Sequence, residues 1–155
     1  MLILFVAGEG GHLEQFKRLY GLLESKINSD KKILITDMPR KIDINIDSFF
    51  LGCLREKSGF HIKSVFSYIR KLFGLYKLLS KENRVAMIST GPGISLGCAV
   101  IVKIFGGRVI HIETWSRFYS KSMTGRFMYY LSDKFYVQNI ELLSLYPKAI
   151  YSGRL

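Results

Sequence analysis

The sequence predicts an α/β fold in which a mostly parallel β-sheet is flanked by helices. Short apolar runs, which are typical of buried parallel strands, alternate with segments whose apolar residues recur at helical spacing. Glycine-rich turns join several of these strands to the following helix. Strands that alternate with helices build βαβ units, and 155 residues suit one such domain. We therefore expect a single Rossmann-like domain over residues 1–155.

The first half of the chain contains three strand candidates and two helix candidates. Leu2–Ala7 is continuously apolar and predicts a buried strand, whereas Leu13–Ile27 carries apolar residues at helical spacing. Lys32–Thr36 and Ser48–Leu51 are short strand candidates separated by a polar loop that contains a proline. The segment Phe60–Ser80 is long and periodic enough for a helix.

The second half repeats the alternation of strand and helix. Glycines bound its first helix, which follows the turn Thr90–Gly93 and ends at Gly106-Gly107. The predicted strands are Val85–Ser89, Arg108–Ile112, Phe135–Gln138 and Ala149–Tyr151. The predicted helices are Ile94–Phe105, Ser122–Leu131 and the short Glu141–Tyr146.

The charge balance predicts an anionic partner. Lys and Arg number 23 against 12 Asp and Glu, which gives a net charge of +11. Aromatic residues make up 14% of the chain, and its mean hydropathy is +0.16. A basic, aromatic and slightly apolar chain fits an anionic membrane surface better than nucleic acid, for which no motif is present. Its apolar runs fall far short of the ~20 residues that a spanning helix needs.

The long predicted helix is the first candidate for such a surface. One apolar stripe at helical spacing is expected to face the core; its members are Ile62, Val65, Phe66, Ile69, Leu72, Phe73, Tyr76 and Leu79. Lys63, Arg70 and Lys77 lie seven residues apart along its flank. The remaining apolar residues, which include Tyr68 and Leu75, exceed what one sheet face covers and would meet headgroups or a partner. An ordinary core helix with snorkelling lysines is the alternative. A second basic and aromatic patch comprises Arg117, Phe118, Tyr119, Lys121, Arg126, Phe127, Tyr129 and Tyr130.

The two cysteines, Cys53 and Cys98, lie in separate apolar contexts without metal-ligand spacing. We expect both to be reduced core residues of a cytoplasmic protein.

Three loops follow strands and should therefore meet at one edge of the sheet, where ligands bind in such folds. The first loop is Gly8-Glu9-Gly10-Gly11-His12, whose backbone N–H groups could bind a phosphate at a helix N-terminus. A dinucleotide fingerprint would need a third glycine where Leu13 stands, although Asp37 could act as its ribose-binding acid. A tight turn without ligand is the alternative.

The other two loops follow the fourth and fifth predicted strands. Thr90-Gly91-Pro92-Gly93 could form an anion-binding nest or simply start a helix. His111 and Glu113 point to the same side of their strand, and the carboxylate could orient a base or bind a sugar hydroxyl. The alternatives are a half-buried strand residue for His111 and a solvated surface charge for Arg117.

Six motifs in order resemble a known family over essentially the whole chain. They resemble the membrane-associated subunit of the two-component UDP-GlcNAc transferase of asparagine-linked glycosylation, and more closely its bacterial exopolysaccharide and capsule counterparts. The matching stretches run from Gly8–His12 and Ser89–Gly93 to Val109–Thr114 with Arg117, Thr124-Gly125, Phe135–Gln138 and Tyr146–Gly153. The loop that ends in His12 also resembles that of the peptidoglycan lipid-II glycosyltransferase, which has the GT-B fold.

The resemblance implies the N-terminal, acceptor-side half of an inverting GT-B glycosyltransferase. A separate donor-binding subunit would hold the UDP-sugar, and the acceptor would be a polyprenyl-diphosphate-linked saccharide. The chain starts directly at its first strand, so its peripheral attachment to the cytoplasmic face of the cell membrane would depend on the basic surface, the partner or the lipid substrate. Neither a cofactor nor a metal is implied.

The resemblance also assigns roles at the sheet edge. His12 is the first candidate for the general base, because it follows the glycines, and Glu113 is the second, as base or orienting group. The substrate-binding candidates are Gly8, Gly10, Gly11, Thr90, Gly91, Gly93 and Arg117. Two other function classes stay open: a non-catalytic membrane scaffold that recruits or activates the catalytic partner, and a nicotinamide-binding domain.

Overall fold

The computed structural model describes residues 1–29, 31–39, 42–52 and 62–155, with the backbone alone for residues 62 and 63. Within these ranges a seven-stranded sheet has the order β3-β2-β1-β4-β5-β6-β7, and every neighbouring pair is parallel. The prediction of a mostly parallel sheet is confirmed. The strands are β1 Leu2–Ala7, β2 Lys31–Thr36, β3 Asp47–Phe50, β4 Val85–Ser89, β5 Arg108–Ile112, β6 Lys134–Val137 and β7 Ile150–Tyr151.

In the part of the chain that the structure describes, four α-helices and one short 3₁₀-helix accompany the strands. The first helix begins two residues earlier than predicted, because the carbonyl of Gly10 already accepts the N–H groups of Leu13 and Glu14. The helices are α1 Gly11–Leu23, α2 Ile62–Leu79, α3 Ser95–Ile104 and α4 Met123–Leu131, and the 3₁₀-helix is Ile140–Ser144.

The sheet separates two apolar cores. On one face Phe5 packs against Phe16 and Tyr20 of α1, with ring centroids 5.4 and 5.5 Å apart. On the other face a larger cluster joins the sheet to α2, α3 and α4, and it includes the buried thiol of Cys98. The predicted core position of Cys98 is thus observed, and burial raises the pKa of its thiol to about 12. Cys53 lies outside the described residues.

The predicted core face of α2 is correct only in part. Leu79 of the predicted stripe is buried, but Phe66 and Phe73 of the same stripe are 72% and 57% exposed. Tyr68 and Leu75, predicted to lie beyond the stripe, are buried instead. The apolar residues form an arc that is broader than the part that packs, so periodicity alone cannot select which part of it faces the core. The Tyr68 hydroxyl donates to the carbonyl of Ile94 at 3.1 Å and lies against Gly97 of α3, and this contact sets the rotation of the helix.

The rotation leaves an aromatic surface on the outside of α2 and α3. Arg70 and Lys77 are exposed on the same side of α2, and the ammonium of Lys77 lies 4.8 Å from the ring centroid of Phe73. The side chain of Lys63 is outside the described part. We call this surface the α2–α3 surface; its exposed apolar members are Phe66, Ile69, Phe73, Tyr76, Val100 and Ile104. Among the helices described here, none has the length and apolar character to cross a bilayer.

Candidate functional site at the carboxyl edge of the sheet

The strand register brings the three predicted loops to one edge of the sheet. Val6 of β1 pairs with Ser89 of β4, and Ser89 pairs with His111 of β5, so these strands end side by side. The amide of Thr90 donates to the carbonyl of Val6 at 3.1 Å, which joins the second loop to the first strand. The sequence-based expectation of a shared edge is confirmed.

His12 lies half-buried in the first turn of α1, with its ring against the second loop. Its Nδ1 is 2.6 Å from the carbonyl oxygen of Thr90. A carbonyl oxygen only accepts hydrogen bonds, so Nδ1 carries the proton and the neutral ring keeps its lone pair on Nε2. Nε2 makes no hydrogen bond to any residue that the structure describes. The ring therefore has the tautomer that a general base requires.

Thr90 and Gly91 fix the position of His12. Gly91 has φ +108°, and a Cβ on it would lie 2.9 Å from Cε1 of the His12 ring, so only glycine leaves room here. The Thr90 hydroxyl donates to the backbone carbonyl of His12 at 3.0 Å. The amide of Gly91, predicted to bind phosphate, already donates to the hydroxyl of Ser89 at 3.2 Å. Thr90 and Gly91 therefore support His12, and their predicted contact with substrate stays a prediction.

The glycines of the first loop differ in their surroundings. Gly8 is buried between Pro92 and Asp37, whereas Gly10 and Gly11 are exposed at the start of α1. The N-cap residue of α1, Gly10, provides no side-chain cap, and the amides of Leu13 and Glu14 already donate to its carbonyl. Within the described chain, the amides of Gly11 and His12 are therefore the first-turn N–H groups left for an anion. Gly93 is also exposed, with open space where a side chain would be.

Trp115 is a neighbour of this loop that sequence reasoning missed. A Cβ on Gly11 would lie 3.7 Å from the indole Nε1, and the guanidinium of Arg18 stacks 4.9 Å from the ring centroid. The backbone amide of Trp115 points to Oε1 of the buried Gln15 at 3.4 Å. Its position in a loop directly after a strand was the available signal.

Glu113 is fully buried, and both of its carboxylate oxygens are engaged. Oε1 accepts the amide of Thr114 at 3.0 Å. Oε2 accepts the hydroxyls of Ser122 at 3.0 Å and Tyr146 at 2.9 Å. Burial and the Glu113 carboxylate together raise the pKa of the Tyr146 hydroxyl far above its usual value, so it stays a donor. The Glu113 carboxylate is thus a structural acceptor inside the fold, and its predicted role as base or acceptor-orienting group stays a prediction.

The Glu113 carboxylate also faces the N-terminus of α4. Ser122 caps this helix by accepting the amide of Gly125 at 2.8 Å. A Cβ on Gly125 would collide with the carboxylate, so glycine is needed for the close approach. Glu113 thereby joins the end of β5, the start of α4 and the C-terminal segment around Tyr146.

Arg117 and His111, the other predicted residues near the third loop, lie in different surroundings. Arg117 is exposed, and its guanidinium donates to the hydroxyl of Ser120 at 3.2 Å. Its other hydrogen bonds with described residues join its backbone to Thr114 and to Asn139, which donates to its carbonyl. None of these hydrogen bonds joins it to the glycine-rich loop. His111 is fully buried beside Phe135, and neither ring nitrogen has a partner in the described chain. Burial, and then the nearby charge of His12, lower the pKa of His111 to about 3.

The family model described as "Oligosaccharide biosynthesis protein Alg14 like" matches residues 3–155. The chain belongs to this Alg14-like family. It is 28% identical over 178 residues to the human protein named UDP-N-acetylglucosamine transferase subunit ALG14, covering 99% of this chain and 82% of that protein. The protein of the same name from Debaryomyces hansenii is 33% identical over 177 residues, with 99% and 75% covered.

Solved structures show the same fold in glycosyltransferases of the GT-B type. The crystal structure of Acinetobacter baumannii MurG matches with a TM-score of 0.65 at 13% identity, over 99% of this chain and 44% of that one. Phytolacca americana UGT2 matches with a TM-score of 0.55 at 12% identity, over 96% and 50%. This Alg14-like chain therefore spans about half the length of either enzyme, and the predicted GT-B fold class is confirmed.

Proposed function

We propose that this Alg14-like protein is the acceptor-binding subunit of a two-component inverting glycosyltransferase. It would act in the transfer of a sugar from a UDP-sugar to a polyprenyl-diphosphate-linked saccharide. The observation that carries the proposal is His12, whose imidazole is held in the base-competent tautomer at the carboxyl edge of the sheet. Entry of the product into exopolysaccharide or capsule stays a sequence-based prediction.

The chemistry is a single displacement. The acceptor hydroxyl oxygen attacks the anomeric carbon of the donor sugar, and the bond from that carbon to the nucleotide diphosphate breaks. Nε2 of His12 takes the hydroxyl proton, and UDP leaves with the electron pair. The first-turn N–H groups of α1 near Gly10 and Gly11 would bind acceptor phosphate, with Gly93 and Arg117 as further candidates.

A separate donor-binding subunit would complete the enzyme. The fold matches about half of each solved GT-B chain, and the family relatives are named as subunits. On the α1 side of the sheet, an apolar cavity of about 450 Å³ opens between α1 and the last described residues. Parallel sheets are normally covered on both faces, so we assign this cavity to an apolar helix of the donor-binding subunit. Its lining includes Leu19, Leu22, Leu23, Ile88, Ile110 and Ile112.

The α2–α3 surface suits the cytoplasmic face of an anionic membrane. Its exposed aromatic side chains would enter the headgroup region, while Arg70 and Lys77 would meet lipid phosphates. The net charge of +11 adds long-range attraction. Peripheral attachment of this kind would bring the site to a lipid-linked acceptor.

The decisive experiment is a transferase assay with radiolabelled UDP-sugars and a polyprenyl-diphosphate-linked saccharide. It compares this chain alone, a donor-binding subunit from the same source alone, and both together. We expect product only, or far more strongly, with both chains. In the pair, His12→Ala should lower the rate by about 10²–10⁴-fold, whereas Lys17→Ala, on the exposed side of α1, should leave it unchanged.

Two outcomes would overturn parts of the proposal. Equal product from the donor-binding subunit alone would make this chain dispensable for the chemistry. Full activity of His12→Ala in the pair would remove the base from this chain. Either result would favour the alternative function, a membrane scaffold that recruits or activates the catalytic partner.

A further inference from the structure

The carboxylate of Asp37 lies directly against the glycine-rich loop from a neighbouring strand. It follows β2, and the last residue of that strand, Thr36, pairs with Ala7 of β1. Asp37 and Gly8 therefore leave the sheet side by side. Gly8 is tightly enclosed at this point, because a Cβ there would lie 2.9 Å from Oδ2 of Asp37 and 2.8 Å from Cβ of Pro92.

The Asp37 carboxylate also fixes the loop by a hydrogen bond. Its Oδ1 accepts the backbone amide of Glu9 at 3.0 Å. That bond restrains the loop between the end of β1 and the first turn of α1, where His12 begins to face Thr90. A second restraint is the close approach of Gly8 to Pro92. Pro92 belongs to the same loop as Thr90 and Gly91, which contact the His12 imidazole.

The electrostatic surroundings of His12 add a second effect. Two titratable groups interact electrostatically with His12: Asp37, which follows β2, and His111 of β5. Glu9 of the same loop acts on Asp37. From the loop after β4, the Thr90 carbonyl contacts the His12 ring. His111 is neutral over the working pH range, because its pKa is lowered to about 3. Burial raises the pKa of Asp37, and the charge of His12 acts on it in the opposite direction, so the two groups are within electrostatic reach.

We propose that Asp37 is a positioning residue for His12, holding the glycine-rich loop through the Glu9 amide and stabilising the imidazolium that forms when His12 takes the acceptor proton. The inference depends on the proposed role of His12. It is independent of any ribose contact, because Oδ1 of Asp37 is engaged by the loop itself.

Two substitutions separate the hydrogen bond from the charge. Asp37→Asn keeps a side-chain oxygen for the Glu9 amide and removes the charge, whereas Asp37→Ala removes both. Asp47→Asn is the matched control, since Asp47 is exposed at the start of β3 and so at the opposite edge of the sheet. The assay uses the reconstituted pair and follows kcat and acceptor KM against pH.

For Asp37→Asn we expect kcat to fall by about tenfold with acceptor KM little changed, because the carboxylate that stabilises the imidazolium is lost while the loop stays in place. Asp37→Ala should lower kcat by a further tenfold or so, because a loosened loop misplaces the base.

An unchanged kcat in both Asp37→Asn and Asp37→Ala, alongside a strong loss in His12→Ala, would overturn the role of Asp37 and leave that of His12 intact. A His12→Ala pair with full activity would instead remove the proposed function itself. A loss of kcat in Asp47→Asn equal to that in Asp37→Asn would also contradict the inference, since it would reflect net charge alone.

Discussion

The hydroxyl of Tyr146 donates to Oε2 of Glu113 at 2.9 Å, although 33 residues separate the two side chains in the sequence. This bond ties the C-terminal segment to the loop after β5, and both partners are fully buried. A buried carboxylate needs such hydrogen-bond donors, because the loss of a donor leaves part of its negative charge buried without a partner.

Removing the Tyr146 hydroxyl should therefore destabilise the fold. We expect Tyr146→Phe to lower the free energy of unfolding by about 1–3 kcal/mol, measured by chemical denaturation at pH 7. Tyr136→Phe is the control, because its hydroxyl has no hydrogen bond within the described chain. Equal stability of the two variants would contradict the role assigned to the Glu113 carboxylate as a structural acceptor.

The buried His111 predicts a pH-dependent stability. Its folded-state pKa of about 3 lies below the ordinary value of 6.5, so the unfolded chain binds the extra proton first. Stability from this group is full above pH 6.5 and falls by up to ~1.4 kcal/mol per unit as the pH drops towards 3. His111→Leu should remove most of this slope in denaturation curves recorded between pH 4 and 7.

Asp37 contributes to the pH dependence of stability with the opposite sign. Burial raises its folded-state pKa, which favours the protonated carboxyl, so the stability contributed by this group falls as the pH rises. Repeating the series in Asp37→Asn separates the two contributions. A slope that survives unchanged in His111→Leu would show that His111 is not the group that titrates.

The α2–α3 surface predicts charge-dependent binding to lipid. Replacing Arg70 and Lys77 by Gln should weaken binding to phosphatidylserine-containing vesicles by about 30-fold, at roughly 1 kcal/mol for each charge. Vesicle flotation at several salt concentrations measures this binding, and higher salt should reduce the difference between the variant and the unchanged chain. The control pair is Lys81→Gln with Arg84→Gln, two exposed positions near the amino-terminal edge of the sheet. Equal losses from both pairs would indicate net charge rather than a defined surface.

The apolar cavity beside α1 predicts a specific loss of partner binding. Leu22 lines this cavity with 60% of its surface exposed, and a buried anchor of this size typically contributes at least ~2 kcal/mol to an interface. Leu22→Asp should therefore weaken capture of the donor-binding subunit by 30-fold or more in detergent solution. Ile104→Asp, equally exposed on the α2–α3 surface, should leave it unchanged. The opposite result would move the interface to α2 and α3.

Much of the fold could be predicted because its strands are short, continuous apolar runs bounded by glycine. The predicted bounds of β1, β4 and β5 agree with the structure to the residue. The exact rotation of α2 could not be predicted, since its apolar arc is broader than the surface it packs against. A contact such as that between Tyr68 and Ile94 selects which part of the arc is buried.

The site was predicted in outline but not in its internal connections. The position of His12 after the glycines placed it at the right edge, because parallel strands end together. The hydrogen bonds of Glu113 with Ser122 and Tyr146 join residues that are not neighbours in the sequence, and no local pattern predicts them. The position of Asp37 after β2 predicted the sheet edge at which it lies, but not its hydrogen bond with the Glu9 amide.

The outward aromatic face of α2 has a consequence for handling the protein. Side chains such as Phe66 and Phe73 expose apolar surface to water, so copies of the chain in plain buffer will associate through this surface. Their colloidal behaviour should improve in mild detergent or nanodiscs, while dilution into plain buffer should produce aggregates whose size grows with concentration.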